Sequence, residues 1–131
     1  MRHNVNSRIE FLNVDMANFL ESGFAHARPF AMMISNPPYI PTAEIDKLQT
    51  EISKYEPRSA LDGGVDGMDF YRKISERAKN YLNKDGRLIF EIGFGQSDRI
   101  RDILLRNGFG LFKTIKDYSG IERVLVFQFL V

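Results

Sequence analysis

Apolar positions along the chain fall into short runs, and the spacing within each run predicts an element. Residues 7–14 (SRIEFLNV) carry Ile9, Phe11, Leu12 and Val14 in partial alternation, which predicts a short strand. Residues 15–24 predict one or two helical turns. Residues 29–35 (PFAMMIS) form a continuous apolar run that stops at Asn36-Pro37-Pro38. A run of strand length without alternation, closed by prolines, predicts a strand buried on both faces. Residues 68–82 place Phe70, Tyr71, Ile74, Ala78, Tyr81 and Leu82 three or four apart and predict a helix, ended by Asn83-Lys84-Asp85-Gly86. Residues 87–92 (RLIFEI) predict a second buried strand. Residues 96–106 predict a helix with Ile100, Ile103, Leu104 and Leu105 inward and Asn107-Gly108 as its stop. Residues 111–115 and 123–129 predict a closing hairpin across residues 117–120.

Between the continuous apolar run at residues 29–35 and the helix at residues 68–82 lies an irregular excursion. Residues 36–67 hold four of the five prolines and a Gly-Gly pair. Within it, residues 42–55 predict a short polar helix with Thr42 as N-cap and Ile45, Leu48 and Ile52 on one face. An excursion of this length straight after a buried strand marks a functional loop or a mobile one, and residues 40–66 are expected to be mobile without substrate. The alternation of strands and helices in the middle predicts parallel strands with crossover helices, and the hairpin adds an antiparallel strand. The fold class is therefore mixed α/β, in a single domain over residues 1–131.

Composition narrows the function classes. Lys and Arg total 18 against 17 Asp and Glu, a net charge of +1, which gives no electrostatic case for nucleic acid or anionic membrane. The absence of cysteine excludes a disulfide scaffold, a thiolate zinc site and a cysteine nucleophile. No apolar run reaches the length of a membrane span and the N-terminal residues lack a signal-peptide core, so a cytoplasmic protein is expected. His3 and His26 do not have the spacing of a metal pair, and no metal site is expected.

Chemistry concentrates at Asn36-Pro37-Pro38-Tyr39. Ligands of open α/β sheets bind outside the carboxyl ends of the strands, which is where this tetrapeptide falls. Proline removes backbone N–H groups, so nearby carbonyls can face a substrate. The Asn36 Oδ1 and the Pro37 carbonyl are two acceptors for the two hydrogens of a planar NH2 group, and Tyr39 offers a flat face for stacking. So held, the nitrogen faces an electrophile and needs no base beforehand, because its proton leaves after the new bond forms. Taken alone, the tetrapeptide also reads as a proline turn with Asn36 bonded to the backbone. Glu91 is a carboxylate in an otherwise apolar strand and calls for an arginine or backbone partner. Gly93-Phe94-Gly95 lacks the spacing of a nucleotide loop and reads as a turn into the next helix. Arg99, Arg101 and Arg106 read as solvated charge.

The blocks SNPPYIP, YEPRSALDGGVDGMDFYRKI, YLNKDGRLIFEIGFGQ and KDYSGIERVLVF, in that order over residues 35–127, resemble the HemK/PrmC protein-(glutamine-N5) methyltransferases. The resemblance implies an incomplete Rossmann-like class I methyltransferase sheet, mostly parallel, with the C-terminal antiparallel hairpin. It implies methylation, with S-adenosyl-L-methionine as cofactor, of the glutamine in the Gly-Gly-Gln loop of class I peptide-chain release factors. By resemblance Asn36 and Pro37 are catalytic and bind the glutamine amide together with Pro38 and Tyr39. Glu56 and Pro57 would shape the substrate side, and Asp15, Met16 and Asn36 the cofactor side. Phe70 and Tyr71 match family positions beside the site, although their helical spacing favours a core role. Two other readings stay open: an amino methyltransferase acting on adenine or guanine of nucleic acid, and a non-catalytic remnant or interaction module.

One departure from the family is large. The Gly-rich cofactor loop and the acidic ribose-binding position have no counterpart in this sequence, and residues 2–5 read as a turn before the third strand of the family sheet. Three outcomes are expected: a part of a longer protein, direct pairing of residues 7–14 with residues 31–35, or a homodimer through the bared sheet edge. In each, the chain binds S-adenosyl-L-methionine poorly.

Overall fold

A computed structural model describes residues 6–21 and 29–130 of the chain. A 3₁₀ turn (Asn6–Arg8) leads through an irregular, exposed segment to α1 (Met16–Glu21). Next come β1 (Phe30–Ser35), a second 3₁₀ helix (Thr42–Lys47), α2 (Thr50–Tyr55) and α3 (Arg58–Leu61). Then α4 (Asp69–Ala78), β2 (Leu82–Glu91), α5 (Ser97–Arg106), β3 (Phe109–Lys116) and β4 (Glu122–Phe129) complete the chain. His3, His26 and the turn expected at residues 2–5 lie outside the described residues.

The four strands form one sheet in the order β1-β2-β4-β3. β1 and β2 run parallel, with Ile34 opposite Ile89 and Ser35 opposite Phe90. β4 lies antiparallel to both β2 and β3. The mixed α/β class and the closing hairpin agree with the sequence. The parallel share is smaller than expected: α5 also carries the chain from β2 to a strand of the same direction, β3, but β4 inserts antiparallel between those two, so β1 and β2 form the one parallel neighbour pair among the described strands.

Helices α4 and α5 cover one face of the sheet. Tyr71, Ile74 and Ala78 of α4 and Ile100 and Leu104 of α5 are buried against Leu88, Phe90, Phe109, Leu125 and Phe127. Each of the large aliphatic and Phe side chains among them contributes about 1.5–3 kcal/mol by leaving water. Tyr71 meets Phe90 edge-to-face with ring centroids 5.1 Å apart. Buried Ser75 accepts a hydrogen bond from the Asn107 side chain (3.0 Å), which joins α4 to the end of α5. Asn107 and Gly108 (φ 85°) close α5 as expected. Leu105 does not turn inward. It is 62% exposed, one step off the face that Ile100 and Leu104 define.

Several expectations are corrected. Residues 7–14 form no strand: Phe11 is 90% exposed and no described strand pairs with the segment. A strand needs a partner for its ladder, and among the described residues this one has none. β1 forms as expected but is not buried on both faces. It is the edge of the sheet, with Ile34 71% exposed, because no described element covers its outer edge or the sheet face opposite α4. α4 stops at Ala78, four residues early, and the Tyr81 hydroxyl donates instead to the Phe19 and Leu20 carbonyls of α1 (3.2 and 3.1 Å). β2 starts at Leu82 rather than residue 87. Its register jumps from Phe30–Leu82 to Met32–Arg87, so the stretch expected as a turn survives as a bulge inside the strand. The single helix expected over residues 42–55 is two pieces separated at Leu48 and Gln49.

Candidate functional site

β1, β2 and β3 point the same way, so their carboxyl ends open on one edge of the sheet. Residues 36–39, 92–96 and 117–121 emerge there. The tetrapeptide Asn36-Pro37-Pro38-Tyr39, with Ile40, Ala60 and Leu61, lines a pocket of about 200 Å³. Asn36 is exposed, Pro37 is buried, and Pro38 and Tyr39 are half-buried. The Asn36 carboxamide takes no hydrogen bond from or to another described residue, so the reading of Asn36 as a backbone-bonded turn residue does not hold among these residues.

The backbone leaving the pocket is held on both sides. The Ile40 amide donates to the Leu61 carbonyl (3.0 Å), the Gly63 amide to the Ile40 carbonyl (2.8 Å) and the Thr42 amide to the Gly64 carbonyl (2.9 Å). Thr42 does not cap a helix. Its hydroxyl donates to Asp62 Oδ1 (2.6 Å), which also accepts the Gly64 amide (3.0 Å). The Thr42 hydroxyl and then the Gly64 amide hold the Asp62 carboxyl below the usual range. Two glycines are required here. A Cβ on Gly63 would lie 2.8 Å from the Tyr39 Cα, and one on Gly67 (φ 76°) would strike the Tyr39 carbonyl oxygen.

Asp66 ties this loop to both helices. It accepts hydrogen bonds from Arg72 (3.0 and 2.5 Å), Arg99 (2.5 Å) and the Met68 amide (3.1 Å). The Arg72 hydrogen bonds are the main cause that brings its pKa down to about 2. Arg99 is thus an anchor rather than loose solvated charge, and Arg101 likewise pairs with Glu122 (3.1 Å). Across the edge, Gln96 Oε1 accepts the Gly93 amide (3.1 Å) while its Nε2 donates to the Tyr39 carbonyl (2.8 Å). Asp117 accepts the Ser119 and Ile121 amides and the Arg123 guanidinium, closing the β3–β4 turn.

The remaining candidates lie elsewhere. Glu56 and Pro57 are exposed at the junction of α2 and α3 and do not line the pocket. Asp15 Oδ1 accepts the Asn18 amide (3.0 Å) and so caps α1. Met16 lines an apolar groove of about 270 Å³ with Phe19, Leu20, Phe30, Met33 and Leu88. Phe70 is half-buried and Tyr71 wholly buried, as core residues. Burial raises the Tyr71 phenol pKa, and its hydroxyl donates to the Glu91 carbonyl (2.9 Å). The Glu91 side chain is exposed at the strand end, so no buried carboxylate needs a partner. Gly93-Phe94-Gly95 is the expected turn. Sequence reasoning missed Asp62, Asp66 and Gln96. The signals present were two Asp-Gly steps and a polar residue directly after Gly-Phe-Gly. Among the described residues no acidic or histidine cluster is placed to hold a metal, and no helix is long and apolar enough to cross a membrane.

No protein-family model matches the chain. It is 50% identical over 99 residues to the release factor glutamine methyltransferase of Thermodesulfovibrio yellowstonii, covering 76% of this chain and 36% of that protein. It is 37% identical over 123 residues to the release factor glutamine methyltransferase of Clostridium acetobutylicum, covering 94% and 42%. The fold resembles the crystal structure of a release factor-specific protein-(glutamine-N5) methyltransferase from Alicyclobacillus acidocaldarius, with a TM-score of 0.51 and 23% identity over 88% of this chain and 55% of that one. The chain belongs to the release factor glutamine methyltransferase family and spans well under half the length of these curated relatives.

Proposed function

We propose that the pocket at the end of β1 grips the side-chain carboxamide of a glutamine, in the Gly-Gly-Gln setting of a class I peptide-chain release factor, as the acceptor half of a glutamine-N5 methyltransferase. The observation that carries this reading is the Asn36 carboxamide, exposed at the pocket, unspent on the described residues and followed by two residues that have no N–H. Asn36 Oδ1 and the Pro37 carbonyl accept the two amide hydrogens, and the Tyr39 ring lies against the flat group. Both acceptors are neutral, so they orient the nitrogen without removing its proton, and the gain is one of positioning.

S-adenosyl-L-methionine is the cofactor that family membership implies, and the residues described here do not make a complete holder for it. The groove beside Met16 is apolar, and Asp15 spends one carboxylate oxygen on capping α1. The described residues around the groove offer few groups for ribose hydroxyls or for the amine and carboxylate of the methionine part. The chain's own contribution is acceptor binding, and cofactor binding is assigned to the part of a full-length relative that the match leaves uncovered.

The test is titration of the chain with a short peptide containing Gly-Gly-Gln and with the same peptide carrying glutamate in place of glutamine. The glutamine peptide is expected to bind, and Asn36→Ala to weaken it about tenfold, the equivalent of about 1.4 kcal/mol. The glutamate peptide, which offers no NH2, is expected not to bind. Equal binding of both peptides overturns the reading.

A further inference from the structure

We propose that Gln96 is a positioning residue for this pocket: its carboxamide locks the Tyr39–Ile40 peptide plane and thereby sets where the Tyr39 ring and the Pro37 carbonyl stand. The inference rests on the amide-pocket reading for its purpose, but its geometry stands apart from that reading.

Gln96 occupies the position just before α5, where a polar side chain ordinarily turns back to cap the first turn. It makes no such bond. Its acceptor goes to the Gly93 amide (3.1 Å) and its donor to the Tyr39 carbonyl (2.8 Å). The orientation of the carboxamide is determined by these partners, since a flipped group would set N–H against N–H and oxygen against oxygen. The Gln96 main-chain amide donates in return to the Gly93 carbonyl (3.3 Å), so the turn below is closed twice. On the far side of the same peptide plane, the Ile40 amide donates to Leu61 (3.0 Å). The plane between Tyr39 and Ile40 is therefore held at its oxygen by Gln96 and at its nitrogen by Leu61.

Space for the clamp is built in. A Cβ on Gly93 would lie 2.7 Å from Gln96 Oε1, and one on Gly67 would lie 3.0 Å from Gln96 Nε2. Only a side chain with one acceptor and one donor at this reach serves both partners. The clamp also removes the Tyr39 carbonyl from competition for a substrate amide.

The experiment compares the wild-type chain with Gln96→Met and Gln96→Glu by ¹³C and ¹⁵N NMR, with folding checked by circular dichroism. In Gln96→Met both partners are lost, so the Tyr39 carbonyl carbon and the Gly93 amide proton are expected to shift upfield. In Gln96→Glu at neutral pH the carboxylate keeps the Gly93 bond and repels the Tyr39 carbonyl, so only the Tyr39 resonance moves. It is expected to return toward the wild-type position as the new carboxyl protonates at lower pH and regains a donor, a recovery that a merely space-filling residue would not show. Gln96→Met is expected to weaken Gly-Gly-Gln peptide binding roughly fivefold. An unmoved Tyr39 carbonyl resonance in both variants overturns the clamp. Moved resonances with unchanged peptide affinity overturn its positioning role. A wild-type chain that ignores the peptide overturns the amide-pocket reading, while the carbonyl resonance still decides the clamp.

Discussion

Replacing Asp66 by Asn is expected to loosen the attachment of the loop between β1 and α4 to helices α4 and α5, by an amount that the structure sets. Asn keeps the acceptor for the Met68 amide but loses the charge that faces Arg72 and Arg99. In the folded chain the Asp66 pKa falls from 3.8 to about 2. That difference corresponds to about 2.4 kcal/mol at neutral pH. The Asp66 side chain is 29% exposed and its arginine partners more so, and solvent screening reduces the expected loss to about 1–2 kcal/mol. The group is ionised more readily folded than unfolded. Its stabilisation is therefore complete above about pH 4 and disappears as the pH falls through the folded value near 2. Urea unfolding followed by circular dichroism measures the gap between wild type and Asp66→Asn. The gap is expected to be about 1–2 kcal/mol at pH 7, a midpoint change of roughly 1 M, and to close toward pH 2. A gap of the same size at both pH values, or none at pH 7, refutes the assignment of Asp66 as an ionic anchor.

Three further predictions concern the core, the sheet edge and the cofactor. Tyr71→Phe leaves the Glu91 carbonyl without its 2.9 Å donor and is expected to cost about 1 kcal/mol, read as a fall of a few degrees in melting temperature. The β1 edge, with Met32 49% and Ile34 71% exposed, is expected to pair with a second copy, so the light-scattering mass rises with concentration in the wild type and stays at one chain in Ile34→Lys. S-adenosyl-L-methionine titrated into the chain in a calorimeter is expected to give no binding heat, and micromolar affinity would contradict the assignment of cofactor binding outside this stretch.

Much of the architecture was legible because its signals are local. The Pro-Pro stop fixed the end of β1, the three- and four-residue spacing marked α4 and α5, and Asn107-Gly108 marked a helix end. The pocket tetrapeptide was legible for the same reason. Residues 7–14 were misread because an apolar alternation reports a tendency to pair, while a strand exists only with a partner. The two-sided burial expected of β1 failed on the same point. Its side chains are apolar enough for it, but whether a neighbour covers them is not written in the strand. Gln96 escaped notice because it acts at long range, and Asp66 because one of the two arginines it ties together is distant in sequence. Arg99 is 33 residues from Asp66 and Gln96 is 57 from Tyr39, so only the closing of the sheet edge brings them together.

The most direct measurement follows the glutamine itself. A Gly-Gly-Gln peptide labelled with ¹⁵N in its side-chain amide is added to the chain, and the two NH2 protons are observed. Both are expected to move downfield on binding as they meet Asn36 Oδ1 and the Pro37 carbonyl, and Asn36→Ala is expected to restore one of them toward its free position. Amide protons that stay at their free positions in a peptide otherwise shown to bind would contradict the claim that this pocket holds the acceptor amide.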